Sequence, residues 1–207
     1  MSGLLFVVSA ASGTGKTSLV KALLERVNNL HVSVSHTTRE QRAGELDGVH
    51  YHFSSKEDFL ALIEQGGFIE CAEVYGNYYG TAQATVQQQL AQGHDVLLEI
   101  DWQGAEQVRN LFPQSKQIFI LPPSQFDLRQ RLSNRGTDSV EVIEHRLGCA
   151  VEDMQQYSNF DYVIINDDFN KALHDLECVI IANRLVLAQQ STRHQKLIEE
   201  LITPMPE

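Results

Sequence analysis

Ser9-Ala10-Ala11-Ser12-Gly13-Thr14-Gly15-Lys16-Thr17 is the stretch on which the reading turns. It follows the apolar run Leu4 to Val8 and opens an amphipathic segment that starts at Lys16. A strand, a glycine-rich turn and a helix in that order form the setting of a phosphate-binding loop, GxxxxGK[ST]. Small residues let successive backbone N–H groups turn inward around an anion, and the helix N-terminus adds its partial positive charge. Ala10, Ala11, Ser12, Gly13, Thr14, Gly15, Lys16 and Thr17 are therefore the candidates for holding the phosphates of a nucleoside triphosphate. Lys16 reaches the β- and γ-phosphates in such a loop, and the Thr17 hydroxyl is a ligand for Mg²⁺. Ala10 breaks the strict pattern at its first glycine, but Gly13 and Gly15 remain where the backbone must approach phosphate most closely.

Outward from this loop the chain keeps a βα rhythm. Apolar, β-branched runs recur at Leu4–Ser9, His31–Ser35, Asp95–Ile100, Lys116–Leu121 and Tyr162–Asn166. Runs that are apolar throughout suit parallel strands covered on both faces, so the pattern predicts an α/β fold with a central, mostly parallel sheet of five strands between helical layers. Helices are expected at 16–27, 56–65, 82–92, 102–111, 124–135, 139–157 and 168–190, with short strands near 51–53 and 68–74. The last residues, from Thr203 on, read as a frayed end.

At 207 residues the chain suits one domain, since domains commonly run to roughly 100–200 residues. Its net charge of −11 argues against a nucleic-acid surface or a polybasic membrane patch, so any anion must be held locally. Nothing approaches the roughly 20 apolar residues of a membrane span. Cys71, Cys149 and Cys178 are odd in number and lack CxxC spacing, which suggests neither disulfides nor zinc and fits a cytoplasmic protein. His50 and His52 alternate around Tyr51 without a third ligand in range and read as surface or strand residues.

A phosphate loop alone leaves GTPases, ATPases and small-molecule kinases open. A guanine-reading [NT]KxD segment is absent, which disfavours a GTPase. The segments Ser35-His36-Thr37-Thr38-Arg39-Glu40-Gln41-Arg42, Gly48-Val49-His50-Tyr51, Phe68-Ile69-Glu70, Tyr75-Gly76-Asn77-Tyr78-Tyr79-Gly80-Thr81 and Glu99-Ile100-Asp101-Trp102-Gln103-Gly104 resemble the motifs of guanylate kinases, in family order. The resemblance runs from the phosphate loop to about Phe169, nearly the whole chain.

That resemblance implies a P-loop NTPase-type domain with core segments 1–34, 91–123 and 148–207, a GMP-binding insert at 35–90 and a lid at 124–147. It implies that Arg39, Arg42, Tyr51 and Tyr79 hold the phosphate of GMP, and that Ser35, Glu70, Thr81 and Asp101 surround its guanine. The chemistry is consistent: guanine offers N1–H and a 2-amino group as donors beside the O6 acceptor, so Glu70 can accept while hydroxyls donate. Asp101 follows an apolar strand, at the edge where parallel sheets place their ligands. Glu99, where the family often has Asp, is a candidate for the water shell of Mg²⁺. Arg131 and Arg135 lie four apart on one helix face, with Arg146 on the next helix. By resemblance these are lid cations that join Lys16 and Arg39 in neutralising the transferred group, and Asn166 contacts adenine. Arg129 has a weaker claim.

The expected activity is transfer of the γ-phosphoryl group of Mg–ATP to GMP or dGMP. A monophosphate acceptor is already anionic, with a second pKa near ~6, so it needs positioning and charge neutralisation rather than a base. Two alternatives stay open: a noncatalytic guanylate-kinase-like binding module, and a P-loop kinase for another small acceptor. The closing helix, from Lys171 to about Gln190, could support a homo-oligomer through one apolar face.

Overall fold

The computed structural model describes residues 3–74, 76–133 and 140–204, without the side chains of residues 140–143. Five strands form the central sheet: β1 (Leu5–Ala10), β2 (Leu30–Val32), β7 (Asp95–Glu99), β8 (Lys116–Leu121) and β9 (Tyr162–Ile165). Their order is β2-β7-β1-β8-β9 and every pairing is parallel. The strand carrying the phosphate loop thus lies in the middle. Alternation along β1 sends Phe6 and Val8 into one apolar cluster and Leu5 and Val7 into another. The first cluster takes in Leu19 and Leu23 of helix α1 (Lys16–Arg26) and Leu173, Leu176 and Ile180 of α7 (Phe169–Arg184). The second takes in Val86 and Leu90 of α3 (Gln83–Ala91) with Ala105 and Val108 of α4 (Trp102–Leu111). Helices on both faces make the expected three layers.

A second, four-stranded sheet is separate from the first. It orders β3 (His36–Thr37), β4 (His52–Phe53), β5 (Phe68–Val74) and β6 (Asn77–Ala82) as β4-β3-β6-β5. Here β3 and β4 run parallel, while β3–β6 and β5–β6 are antiparallel. Helix α2 (Lys56–Glu64) sends Phe59 beneath this sheet, stacked on Phe68 at 4.5 Å. Its N-cap is Ser55, which accepts from the Asp58 N–H. Helices α5 (Gln125–Ser133) and α6 (Val140–Gln155) bring Leu128, Leu132 and Ala150 against Ala11.

Two expectations need correction. The second strand is Leu30–Val32 rather than His31–Ser35, and β3 begins at His36 in the other sheet. The closing helix stops at Arg184, not near 190, and is followed by two further helices, α8 (Leu187–Arg193) and α9 (Gln195–Ile202). The break has a tertiary cause. Arg184 donates to Asp95 Oδ2 at 2.7 Å and to the Asn28 carbonyl, while Gln190 Nε2 caps the Arg184 carbonyl. Val186 then takes an extended conformation and restarts the helix. Ala172, Leu173, Leu176 and Ile180 of α7 are buried in the core, while Ile181 of α7 and Leu197, Leu201 and Ile202 of α9 are among the exposed apolar residues. Among the described residues, no helix is long and apolar enough to cross a membrane.

Candidate active site

The phosphate loop connects β1 to α1 with two left-handed residues, Gly13 (φ 89°) and Gly15 (φ 95°). Both also lack space for a side chain. A Cβ on Gly13 would lie 2.9 Å from Leu132 Cδ2, and one on Gly15 2.6 Å from Asn166 Nδ2. Ala10 is the last residue of β1, paired in register with Ile120, and is absent from the positive-φ residues. Its departure from glycine therefore carries no backbone strain. The buried Thr14 closes the loop by donating its hydroxyl to the Ala11 carbonyl at 3.0 Å.

Three distant side chains brace this loop. The Thr14 carbonyl accepts from Asn166 Nδ2 at 2.7 Å and from one Arg131 nitrogen at 3.1 Å; the other Arg131 nitrogen donates to the Asn166 carbonyl at 2.9 Å. Arg146 on α6 donates to Ser12 Oγ at 2.8 Å. Arg131 and Asn166 thus sit behind the loop, bonded to its main chain, whereas Arg146 reaches its rim. Arg135 lies outside the described residues. Arg129 forms an exposed ion pair with Glu144 between α5 and α6.

The loop faces a cleft of about 820 Å³, lined by Ala10 through Ser18 and, opposite, by Tyr51, Tyr79, Glu99, Asp101, Trp102 and Asp153. Lys16 extends into it and donates to the Ile100 carbonyl at 3.0 Å. Desolvation lowers the pKa of this amine against the pull of Glu99 and Asp101. Thr17 donates its hydroxyl to Glu99. Two hard oxygen donors therefore meet where a Mg²⁺ ion would be needed. Among the described residues, no group of three or more His, Cys, Asp or Glu side chains forms a metal cage. Such a site suits Mg²⁺, which keeps several waters and takes further oxygens from phosphates.

Two smaller cavities open off the cleft. One, of about 220 Å³, is lined by Lys16, Ser35, Glu70, Glu99, Asp101 and both tyrosines. The other, of about 640 Å³, carries Arg39, Arg42 and Glu45 and again reaches Tyr51, Tyr79 and Glu99. All three cavities share Tyr51, Tyr79 and Glu99 in their linings, so they adjoin around these side chains.

Ser35 and Glu70 line the smallest of these cavities, and the buried Thr81 lies between them. Thr81 donates to Glu70 Oε1, and the Thr81 and Ser35 hydroxyls lie 3.4 Å apart. Glu70 is 4% exposed. Burial pushes its carboxyl up to about 7, with the Thr81 hydrogen bond acting in the opposite direction. Asp101 caps α4 by accepting from the Gly104 N–H at 2.8 Å, which fixes its carboxylate at the pocket wall.

Sequence reasoning missed two carboxylates. Glu45 grips Arg39 at 2.7 and 3.0 Å and accepts from the Arg42 N–H at 2.8 Å, holding both arginines in one turn. Its spacing of three and six residues from them was the available signal. Asp153 on α6 accepts from Trp102 Nε1 at 3.0 Å, joining α6 to the start of α4 across 51 positions. No local pattern marks that pair.

Residues 2–183 match the family model described as guanylate kinase. The chain is 84% identical over its full length to the full-length guanylate kinase of Acinetobacter baylyi. It is 58% identical to that of Psychrobacter arcticus, with 98% of each chain covered. Its structure resembles the crystal structure of guanylate kinase from Anaplasma phagocytophilum, with a TM-score of 0.79 at 32% identity, covering 100% of this chain and 98% of the other.

Proposed function

The chain belongs to the guanylate kinase family, and we infer from that membership and the site geometry that it transfers the γ-phosphoryl group of ATP to GMP. One observation carries the reading: Lys16, the phosphate-loop cation, lines both the large cleft and the small pocket that holds Glu70. A donor phosphate on the loop and a purine monophosphate in the pocket would meet at that amine.

In this reading the main chain from Ala10 to Thr17 holds the phosphate tail of ATP, with Arg131 and Asn166 bracing the loop from behind. Arg39 and Arg42, with the Tyr51 and Tyr79 hydroxyls, receive the GMP phosphate and neutralise it, so its oxygen approaches γ-phosphorus without charge repulsion. Glu70 accepts from guanine N1–H and the 2-amino group, while Ser35 and Thr81 offer hydroxyls and Asp101 a further acceptor. Thr17 would hold Mg²⁺ directly and Glu99 through its water shell, and the bound ion would supply positive charge against the triphosphate. No residue needs to act as base, because the acceptor oxygen carries no proton once the monophosphate is doubly ionised. In-line alignment is the main source of rate.

We assign residues 35–90 to the GMP-binding part, 124–147 to the lid and the remainder to the core. Among the described lid arginines, Arg146 is best placed to reach the transferred group, since it already contacts Ser12. The intact phosphate nest favours catalysis over a noncatalytic binding role.

Release of ADP, measured with GMP, dGMP, AMP, UMP and CMP in turn, tests the reading. GMP and dGMP should be turned over, and AMP poorly or not at all. Equal turnover of GMP and AMP would contradict it.

A further inference from the structure

Gly104 is the third residue of α4 and has no backbone reason to be glycine. It is absent from the positive-φ glycines, and the N–H it gives to Asp101 is one any residue but proline would supply. Inside a helix glycine is disfavoured against alanine by about 1 kcal/mol. What surrounds the missing side chain supplies the reason. A Cβ built on Gly104 lies 2.7 Å from Glu70 Oε2, 3.3 Å from Glu70 Cδ and 3.3 Å from Ile100 Cδ1. The Glu70 carboxylate rests directly against the bare Cα.

One turn further along α4, Gln107 fixes the strand that carries Glu70. Its Oε1 accepts from the Cys71 N–H at 3.1 Å, and its Nε2 donates to the Cys71 carbonyl at 3.0 Å. Asp101, Gly104 and Gln107 recur every three residues and so share a helix face. Ile69, on the other side of Glu70, is buried in the same apolar cluster as Leu98, Ile100 and Val108. The strand is gripped on both sides of the carboxylate by the core layer.

We propose that Gly104 is a specificity-determining residue for the nucleobase: its missing side chain makes the seat for the Glu70 carboxylate, and Gln107 is the positioning residue that holds the strand above that seat. The inference rests on Glu70 as the guanine reader. It implies that base recognition is attached to the core helix α4 as well as to the second sheet.

Gly104→Ala is the informative change. Of the crowded atoms, the far end of the Glu70 side chain can shift most readily, so the helix should accept alanine and the carboxylate should move. The KM for GMP should rise roughly tenfold or more and the preference for GMP over AMP should fall by a similar factor, because a displaced polar partner loses its discrimination. The KM for ATP should stay within about twofold and the melting temperature should hold or rise. Gln107→Leu, which keeps volume but removes the amide fork, should raise the KM for GMP in the same direction with ATP unaffected. Coupling provides a readout that a merely structural role would not move: Glu70→Asp, which retracts the carboxylate by one methylene, should cost less GMP preference in Gly104→Ala than in the parent. Unchanged GMP KM and preference in Gly104→Ala would overturn the proposal, as would strict additivity with Glu70→Asp or an equal loss of ATP and GMP binding. Glu70→Gln separates the two levels of the argument. If it leaves the preference for GMP intact, the base reading itself fails and the seat fails with it. If it abolishes the preference while Gly104→Ala does not, only the seat is wrong.

Discussion

Thr81 on β6 donates its hydroxyl to the Glu70 carboxylate on β5 at 2.6 Å, and both residues are buried, with Glu70 lining the smallest of the three cavities. Glu70 stands in the body of the protein with its carboxyl pushed up to about 7, chiefly by desolvation. Guanine brings two donors to this site, so GMP binds the ionised form. Its KM should rise roughly tenfold per pH unit once pH falls below about 7. The phosphate of GMP also titrates nearby, so the comparison is with Glu70→Gln, whose profile should lack the Glu70 component. Stability has the opposite sign. The folded carboxyl holds its proton above the ordinary value of 4.5, so without ligand the protein loses stability as pH rises from about 4.5 to about 7. Parallel KM and melting profiles for the two proteins check both signs.

Arg131 serves two carbonyls, those of Thr14 and Asn166, behind the phosphate loop. A lysine has one nitrogen on a flexible stem and cannot reproduce the fork. Arg131→Lys should therefore leave a carbonyl poorly satisfied, costing about 1–3 kcal/mol. A melting temperature lower by roughly 2–10 °C, with a raised KM for ATP and little change in KM for GMP, is the expected result. A variant with parent stability but impaired turnover would instead make Arg131 a cation of the transferred phosphate.

Ala10 occupies an extended strand position in β1. Ala10→Gly restores the strict loop pattern but adds only freedom to the unfolded chain, so it should destabilise by roughly 0.5–1 kcal/mol without tightening ATP binding. Calorimetry and ATP titration measure the two effects separately. Tighter ATP binding in the variant would mean that the loop is strained at Ala10.

Much of this architecture was legible because its signals are local. The apolar runs of β1, β7 and β8 are each contiguous, the glycine-rich turn and Lys16 directly follow β1, and strand and helix periods follow from backbone geometry. The acceptor residues Ser35, Arg39, Tyr51, Glu70 and Thr81 were legible only through their ordered resemblance to a family, since each taken alone reads as an ordinary surface or sheet residue. The contacts that explain how the site is held could not be read. Asn166 meets Thr14 across 152 positions, Arg184 meets Asp95 across 89, and Gly104 meets Glu70 through an absence of atoms. The closing helix was misjudged for the same reason. Leu185, Val186 and Leu187 continue an apolar pattern, and the break between α7 and α8 is made by Arg184 and Gln190 reaching elsewhere.

Lys16 joins the two halves of the site, and its removal is the most direct test of the account. In a single-turnover experiment with saturating Mg–ATP and GMP, Lys16→Ala should lose about 10²–10³-fold in the rate of phosphoryl transfer. Its melting temperature should stay at or above that of the parent, because the buried amine is desolvated in the folded state. Transfer at close to the parent rate by a folded Lys16→Ala protein would contradict the placement of the reacting phosphates at this residue.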